Sequence, residues 1–458
     1  MTSPLLRCPT DILRLVLGHL SSADLHATLL TNKALQLVAE PFLYADIRLD
    51  WGRTKTPPIV GLLRSILQRP ELATFIRNLT LNGDDIEFNL HQYRRESPKL
   101  SVSESDLDCL FEGTEKLNVP YFEMWAEELC LGTMDAFVAL LISQLPNLRS
   151  LYLDKNFTRR SCFVGMMFRS ALCERPKDCH LPYFEHLLEV SPVYYNLGID
   201  IRRYTKARNT ADILPFFYLP SVKRITALID NPTTFEWPAT PPDSSTLESL
   251  DLTMIREGNL GQILSVTTGL KTLRWKWYYR DDLRDQFVTD IIDLDQIATE
   301  LSHVRETLAD LTITVQTAMC RADPEFPPVE IKGPFRAFSD LSVLRKLDVP
   351  LPLLMGLSGA SANLKDLSKA LPRGIEYLTI TDGMCLQEEW EWEDADLLEA
   401  VRFWLGDWKQ STPRLQVFHL FIGILDYGNW GPEIRQELKD VGAQAGIQVK
   451  ITKLAGEM

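Results

Sequence analysis

Long hydrophobic runs are missing from this sequence: no apolar stretch approaches the ~20 residues that a helix needs to span a bilayer. A helical membrane protein is therefore not expected. Basic runs are missing too. Lys and Arg total 48 against 62 Asp and Glu, a formal charge of −14, and the densest basic spot, Arg202-Arg203 with Lys206 and Arg208, is short. A nucleic-acid backbone is held mainly by neutralising its phosphates along a basic stripe, so DNA and RNA are not expected as ligands, nor is an anionic membrane surface. The eight cysteines (Cys8, Cys109, Cys130, Cys162, Cys173, Cys179, Cys320 and Cys385) are scattered, with no CxxC pair and no regular disulfide framework. The opening Met1-Thr2-Ser3-Pro4 lacks the basic and apolar regions of a secretory signal. The expected compartment is a reducing one, cytoplasmic or nuclear.

Signatures of catalysis are also missing. There is no Walker loop, no G-x-G-x-x-G, no H-E-x-x-H and no G-x-S-x-G. Gly356-Leu357-Ser358-Gly359 has the wrong spacing for the last and reads as a turn. The seven histidines, His19, His26 and His303 among them, show no spacing to a nucleophile. Asp293 and Asp295 read as solvated charges on a helix. Cys162, Cys173, Cys179, His180 and His186 are all zinc-capable, yet no pair has the short loop that grips zinc. Cys162 and Cys173 sit in an apolar helical pattern and read as buried thiols. No catalytic residue, cofactor or metal is expected.

What the sequence does have is leucine in two patterns. Residues 5–45 read as three short amphipathic helices. Pro9 stands near a helix start, where its missing N–H costs nothing, and Ile12, Leu13, Val16, Leu17 and Leu20 follow at one-face spacing. Ser22 is placed to cap a second helix with Leu25, Leu29 and Leu30; a third, with Leu35, Leu37 and Val38, is expected to end before Pro41. Helices this short must pack on the rest of the chain or on a partner.

From about residue 59 a helical stretch alternates with a short leucine triplet. The triplets include Leu148-Arg149-Ser150-Leu151-Tyr152-Leu153, Leu247-Glu248-Ser249-Leu250-Asp251-Leu252 and Leu344-Arg345-Lys346-Leu347-Asp348-Val349. Most fit L-x-x-L-x-L, the core of a leucine-rich repeat, and the closing alternation is a strand signal with one face in the core. The period wanders between roughly 23 and 40 residues, less regular than tidy repeats. The polar stretch 87–104 reads as an exposed insertion. Pro432 to Ala445 and then Ile447-Gln448-Val449-Lys450-Ile451 read as a last helix and a closing strand that shield the open core. The expected fold class is α/β: a helical module at 1–50, a linker helix at 51–75, and an irregular leucine-rich-repeat solenoid with a C-terminal cap at 76–458.

The N-terminus resembles the F-box family, especially fungal F-box proteins with divergent leucine-rich repeats. The resemblance is carried by Cys8-Pro9-Thr10-Asp11-Ile12-Leu13, Val16-Leu17, Leu20, Ser21-Ser22-Ala23-Asp24-Leu25, Leu29-Leu30, Leu35 and Glu40-Pro41-Phe42-Leu43-Tyr44. It continues in Leu62-Leu63-Arg64-Ser65-Ile66-Leu67 and Arg69-Pro70-Glu71-Leu72. Two positions depart from the pattern: Cys8-Pro9 stands for the usual Leu-Pro, and Asn32-Lys33-Ala34 for the commonly basic pair. The resemblance implies a substrate-recognition adaptor for ubiquitin-dependent degradation, not an enzyme. The F-box would dock on a Skp-type adaptor and, through it, a cullin–RING ligase, while the repeats bind an unknown protein substrate. Carried over by position, the docking residues are Pro9, Ile12, Leu13, Val16, Leu17, Leu20 and Leu25. An F-box and repeat scaffold acting in protein–protein interaction outside a ligase is the alternative.

If the strands line a concave face, the residues between the leucines point into it. That gives Tyr152, Asp154, Asp251, Arg274, Lys276, Asp310, Thr312, Lys346, Asp348, Tyr377, Thr379 and His419 as the expected capture surface, a mixture suited to a protein or peptide ligand. Trp275 takes a leucine position and should face the core, whereas Trp390 and Trp392 lie in an acidic loop with Glu388, Glu389, Glu391 and Glu393. Their tryptophans either grip a basic partner or fold back onto the array.

Overall fold

The computed structural model describes residues 8–52, 56–83, 99–154, 162–192, 210–281, 288–318, 326–358, 367–422 and 431–453. The chain divides into two compact units, Met1–Ala227 with Trp237–Pro242, and Leu228–Glu236 with Asp243–Met458. This division falls inside the stretch 76–458 expected to be one array, and the helical module belongs to the first unit.

Both units are α/β, with parallel strands joined through helices. In the first, β1 (Asp46–Asp50), β2 (Asn78–Asn82), β3 (Ser150–Leu153), β4 (Glu189–Pro192) and β5 (Arg224–Leu228) pair in chain order, each parallel to the next. The second unit contains β6 (Ser249–Thr253), β7 (Thr272–Tyr279), β8 (Ile291–Asp293), β9 (Asp310–Thr317), β10 (Glu330–Lys332), β11 (Lys346–Pro350), β12 (Tyr377–Thr381), β13 (Val417–Ile422) and β14 (Gln448–Lys453). Its main sheet runs β6-β7-β9-β11-β12-β13-β14, again parallel. β8 and β10 pair with each other instead.

The leucine triplets explain this order. In each, the first leucine lies just before the strand and the other two point inward from it: Leu247, Leu250 and Leu252 are fully buried, as are Leu270 and Leu273. Trp275 fills the third position of its triplet and is buried, as expected. The residue just before each strand joins neighbours. In the second unit the Glu248 carbonyl accepts from the N–H groups of Lys271 and Thr272, that of Lys271 from Ala309 and Asp310, and that of Ala309 from Arg345 and Lys346. The same two-donor step recurs at Arg345 and Glu376, and in the first unit at Arg77, Arg149 and Leu188. The spacing wanders in sequence, but this step is kept at these eight carbonyls. Extra residues are absorbed in the connections, since lengthening a surface loop adds little closure entropy.

The helical module comprises α1 (Thr10–Leu17), α2 (Ser22–Leu29) and α3 (Lys33–Ala45). Two expectations need correction here. The cap of α2 is Ser21, not Ser22: the Ser21 hydroxyl accepts the Asp24 N–H at 3.2 Å. And α3 does not stop at Pro41 but continues to Ala45. Proline inside a helix forfeits one backbone bond. Tertiary packing outweighs that loss, because Phe42 and Leu43 beyond it pack on the buried cluster of Leu17, Leu25 and Ala39. Glu40 adds a second anchor, held by Arg69 through two parallel bonds of 2.8 and 2.9 Å. Arg69 also holds Glu71 and leads into the 3-10 turn Pro70–Phe75 before β2, so the module is clamped to the sheet that follows it.

Further on, Ile291–Asp293 form β8; the helix expected to carry both Asp293 and Asp295 begins only at Leu294 and is capped by the Asp293 carboxylate, which accepts the Gln296 N–H at 2.9 Å. The closing helix and strand are present as Pro432–Ala445 and β14. Most of the insertion at 87–104 lies outside the described residues. Among the described residues no helix is long and apolar enough to cross a membrane.

Candidate functional site

Two surfaces came out of the sequence, and the structure treats them differently. Of the seven residues carried over as the docking face, Leu13, Leu17 and Leu25 are buried, Leu20 is half-buried, and Pro9, Ile12 and Val16 are exposed. The buried members hold the module together: Leu17 and Leu25 meet Ala39, with Leu20, Leu29, Val38, Phe42 and Leu43 around them. They are not offered to a partner. In their place the surface shows residues that were not carried over as docking positions: Leu15 is 65% exposed, Leu30 77% and Leu37 74%, alongside Ile12 at 46% and Val16 at 48%, which were. Their signal was present in the amphipathic spacing. The face that turns inward, however, is decided by the packing of three helices, and no single helix encodes it.

The second surface is the polar face of the strands. Tyr152 and Asp154 lie in the first unit, and the remaining ten candidates in the second. Asp154 is a correction: it is buried, and its carboxylate accepts the Gly83 N–H at 3.1 Å. It stands just past the end of β3, where alternation no longer governs which way a side chain turns, and it closes the loop after β2 rather than facing a ligand.

In the second unit the candidates come together in register. Asp251, Arg274, Thr312, Asp348, Thr379 and His419 occupy one row across six strands, and Lys450 of β14 continues it. Asp310, Lys346 and Tyr377 form the neighbouring row. Lys276, paired with Thr314, stands in a third. Arg274, Lys276, Lys346 and Tyr377 are exposed, and the other six are half-buried. Lys450, Thr314, Thr381 and Thr452 belong to the same face. They were legible as the alternate residues of strands already recognised.

The face is electrostatically uneven. Lys346 Nζ lies 3.9 Å from Asp310 and 5.7 Å from the centre of the Tyr377 ring. Burial raises the Asp251 carboxyl above its usual range, and the nearby Arg274 and Lys276 oppose that rise. The His419 ring meets the Thr452 hydroxyl at 2.9 Å, and burial with the Lys450 charge lowers its pKa. Asp348 differs from all of these. Burial, reinforced by the charge of Asp310, pushes it up to about 6, and no cation among the described residues acts on it in return. One of its oxygens, Oδ1, is sealed from solvent with no hydrogen-bond donor among the described residues.

Other sequence candidates fall into structural roles. Trp392 is buried and donates its indole N–H to the Gly356 carbonyl at 2.8 Å, so it folds back onto the array. Cys162 is exposed at the start of the helix Phe163–Arg169 rather than buried, because Asp135 of the helix Met134–Ser143 caps that start, accepting the N–H groups of Cys162 and Phe163 at 2.9 and 2.7 Å. Cys173 is half-buried. Arg256, fully buried, is held by Glu257 and by the carbonyls of Thr289 and Ile291, and lies 4.1 Å over Trp277.

Compared with known proteins, the chain matches no family model and no curated sequence.

Proposed function

We propose that this chain is a non-enzymatic F-box-type adaptor. Its N-terminal helices dock on a Skp-type protein of a cullin–RING ubiquitin ligase, and its strand repeats, read as a leucine-rich-repeat solenoid, hold a protein substrate for ubiquitin transfer in the cytoplasm or nucleus. The observation that carries this reading is the concentration of exposed apolar side chains on the first three helices: Ile12, Leu15, Val16, Leu30 and Leu37. So many exposed apolar side chains in so short a stretch support a partner site, and laying helices against a helical partner is a recurrent way of covering them. Burial of each is worth roughly 1.5–3 kcal/mol before ordering costs, ample for a stable complex. The repeat reading is supported by the continuous parallel register and by the two-donor step that recurs before most of the strands.

The test is co-expression with a fungal Skp-type adaptor. Wild type should co-purify with it and, through it, with the cullin. Leu15→Asp and Leu37→Asp, both on exposed positions, should lose the complex while keeping wild-type circular dichroism. A well-folded wild type that brings down no Skp-type protein removes the ligase role.

A further inference from the structure

We infer that the strand face of the second unit recognises a basic side chain, Lys or Arg, of an extended protein segment, and that Asp348 is the residue that receives it. The inference rests on the adaptor reading only in naming that segment as part of a substrate; the recognition itself follows from the face.

The argument begins with how acids on the strand faces are matched. In the first unit, Asp46 accepts from the Asn78 amide, Asp50 from the Asn82 amide and Arg48, and Glu189 lies 3.5 Å from Arg224. In the second unit Asp310 has Lys346, and Asp251 has Arg274 and Lys276 nearby. Among the described residues Asp348 differs from these: neither a cation nor an amide answers it, and one of its oxygens is sealed without a donor. A half-buried carboxylate in that condition carries an uncompensated desolvation cost; a cation brought to its open side offsets that cost by charge, without reaching the sealed oxygen.

The surroundings shape the ligand. Asp348 is flanked in its row by Thr312 and Thr379, short side chains roughly 5 Å to either side. The longer Arg274 and His419 stand about 10 Å away on each flank. Along the row, the side chains next to the carboxylate are therefore short and those further out long. The exposed Tyr377 ring and the threonine methyl groups suit the alkyl stem of Lys or Arg. Lys346 is engaged with Asp310 and Tyr377, and so does not fill the place.

The experiment uses the full chain and immobilised synthetic peptides of neutral sequence whose central residue is Lys, Arg, acetyl-lysine, Gln, Glu or phosphoserine. The expected result is retention of the Lys and Arg peptides by about tenfold or more over the others. Asp348→Asn should abolish that preference, while Asp50→Asn, on the face of the first unit, should leave it intact. Equal or stronger retention of the Glu or phosphoserine peptides overturns the inference, as does an Asp348→Asn chain that keeps the preference. Co-purification with the Skp-type adaptor is read on the same preparations. A complex without peptide preference sinks this inference alone; preference without a complex sinks the adaptor reading and leaves this one standing.

Discussion

At the scale of single residues, burial and partners separate side chains that the sequence pattern treats alike. Asp154 and Asp348 are both acids beside a strand leucine or valine, yet one is satisfied by a backbone N–H and the other keeps a donorless oxygen. The difference has a pH signature. A carboxyl whose folded pKa is about 6, against roughly 3.9 unfolded, holds its proton more tightly in the native state. Its contribution is most favourable below the unfolded value and is lost as pH rises through the folded one. A rise of that size corresponds to about 3 kcal/mol, which solvent screening at a half-buried site reduces to about 1–2. Asp310, Lys346, Arg274 and His419 share the face and are present in both wild type and variant, so the comparison isolates Asp348. Asp348→Asn should thus be more stable than wild type by about 1–2 kcal/mol at pH 8, with the gap closing below about pH 4. Thermal melts of the two proteins across that range check it; a gap independent of pH contradicts it.

At the scale of elements, the N-terminal helices show one leucine stripe divided between two tasks. Leu17 and Leu25 are core, whereas Leu15, Leu30 and Leu37 are surface. Substitution separates the two. Leu17→Ala removes packing against Ala39 and Leu25 and should cost about 2–4 kcal/mol. Leu15→Asp should change stability by no more than about 0.5 kcal/mol. Urea denaturation of both variants measures this, and an equal loss in the two places Leu15 in the core. This is also why an exposed position, and not Leu17, is the sound probe of docking. The leucine triplets, by contrast, leave little to decide. A period of two with one buried face admits a single inward register, because a slip by one residue exposes every leucine.

At the scale of the whole chain, the N-terminal module is not a detachable tag. β1 follows α3 directly and pairs along its full length with β2, and Glu40 is clamped by Arg69. A chain beginning at Pro57 would strip β1 from the sheet and bare the backbone edge of Asn78–Asn82. Unprotected strand edges pair with one another. Such a truncation should self-associate on size-exclusion chromatography where Leu15→Asp stays at the wild-type volume. A truncated chain that elutes as a clean monomer shows that β1 is dispensable.

Local pattern alone determined the strands that carry leucine triplets (not β1, β4 and β10, which carry none), their inward faces, the closing helix and strand, and most of the polar row on the second unit's sheet. Each of these follows from a two-residue or 3.6-residue period that a few neighbouring side chains suffice to express. Tertiary structure decided the rest. It carried α3 through Pro41, turned Ile291-Ile292 into β8, and buried Asp154. It divided the N-terminal leucines between core and surface, and among the described residues it brought Asp348 no counter-charge. These outcomes depend on residues far apart in the chain, such as Phe42 against Leu17 or Asp154 against Gly83. No local period records which distant group arrives to satisfy a side chain, and which one never does.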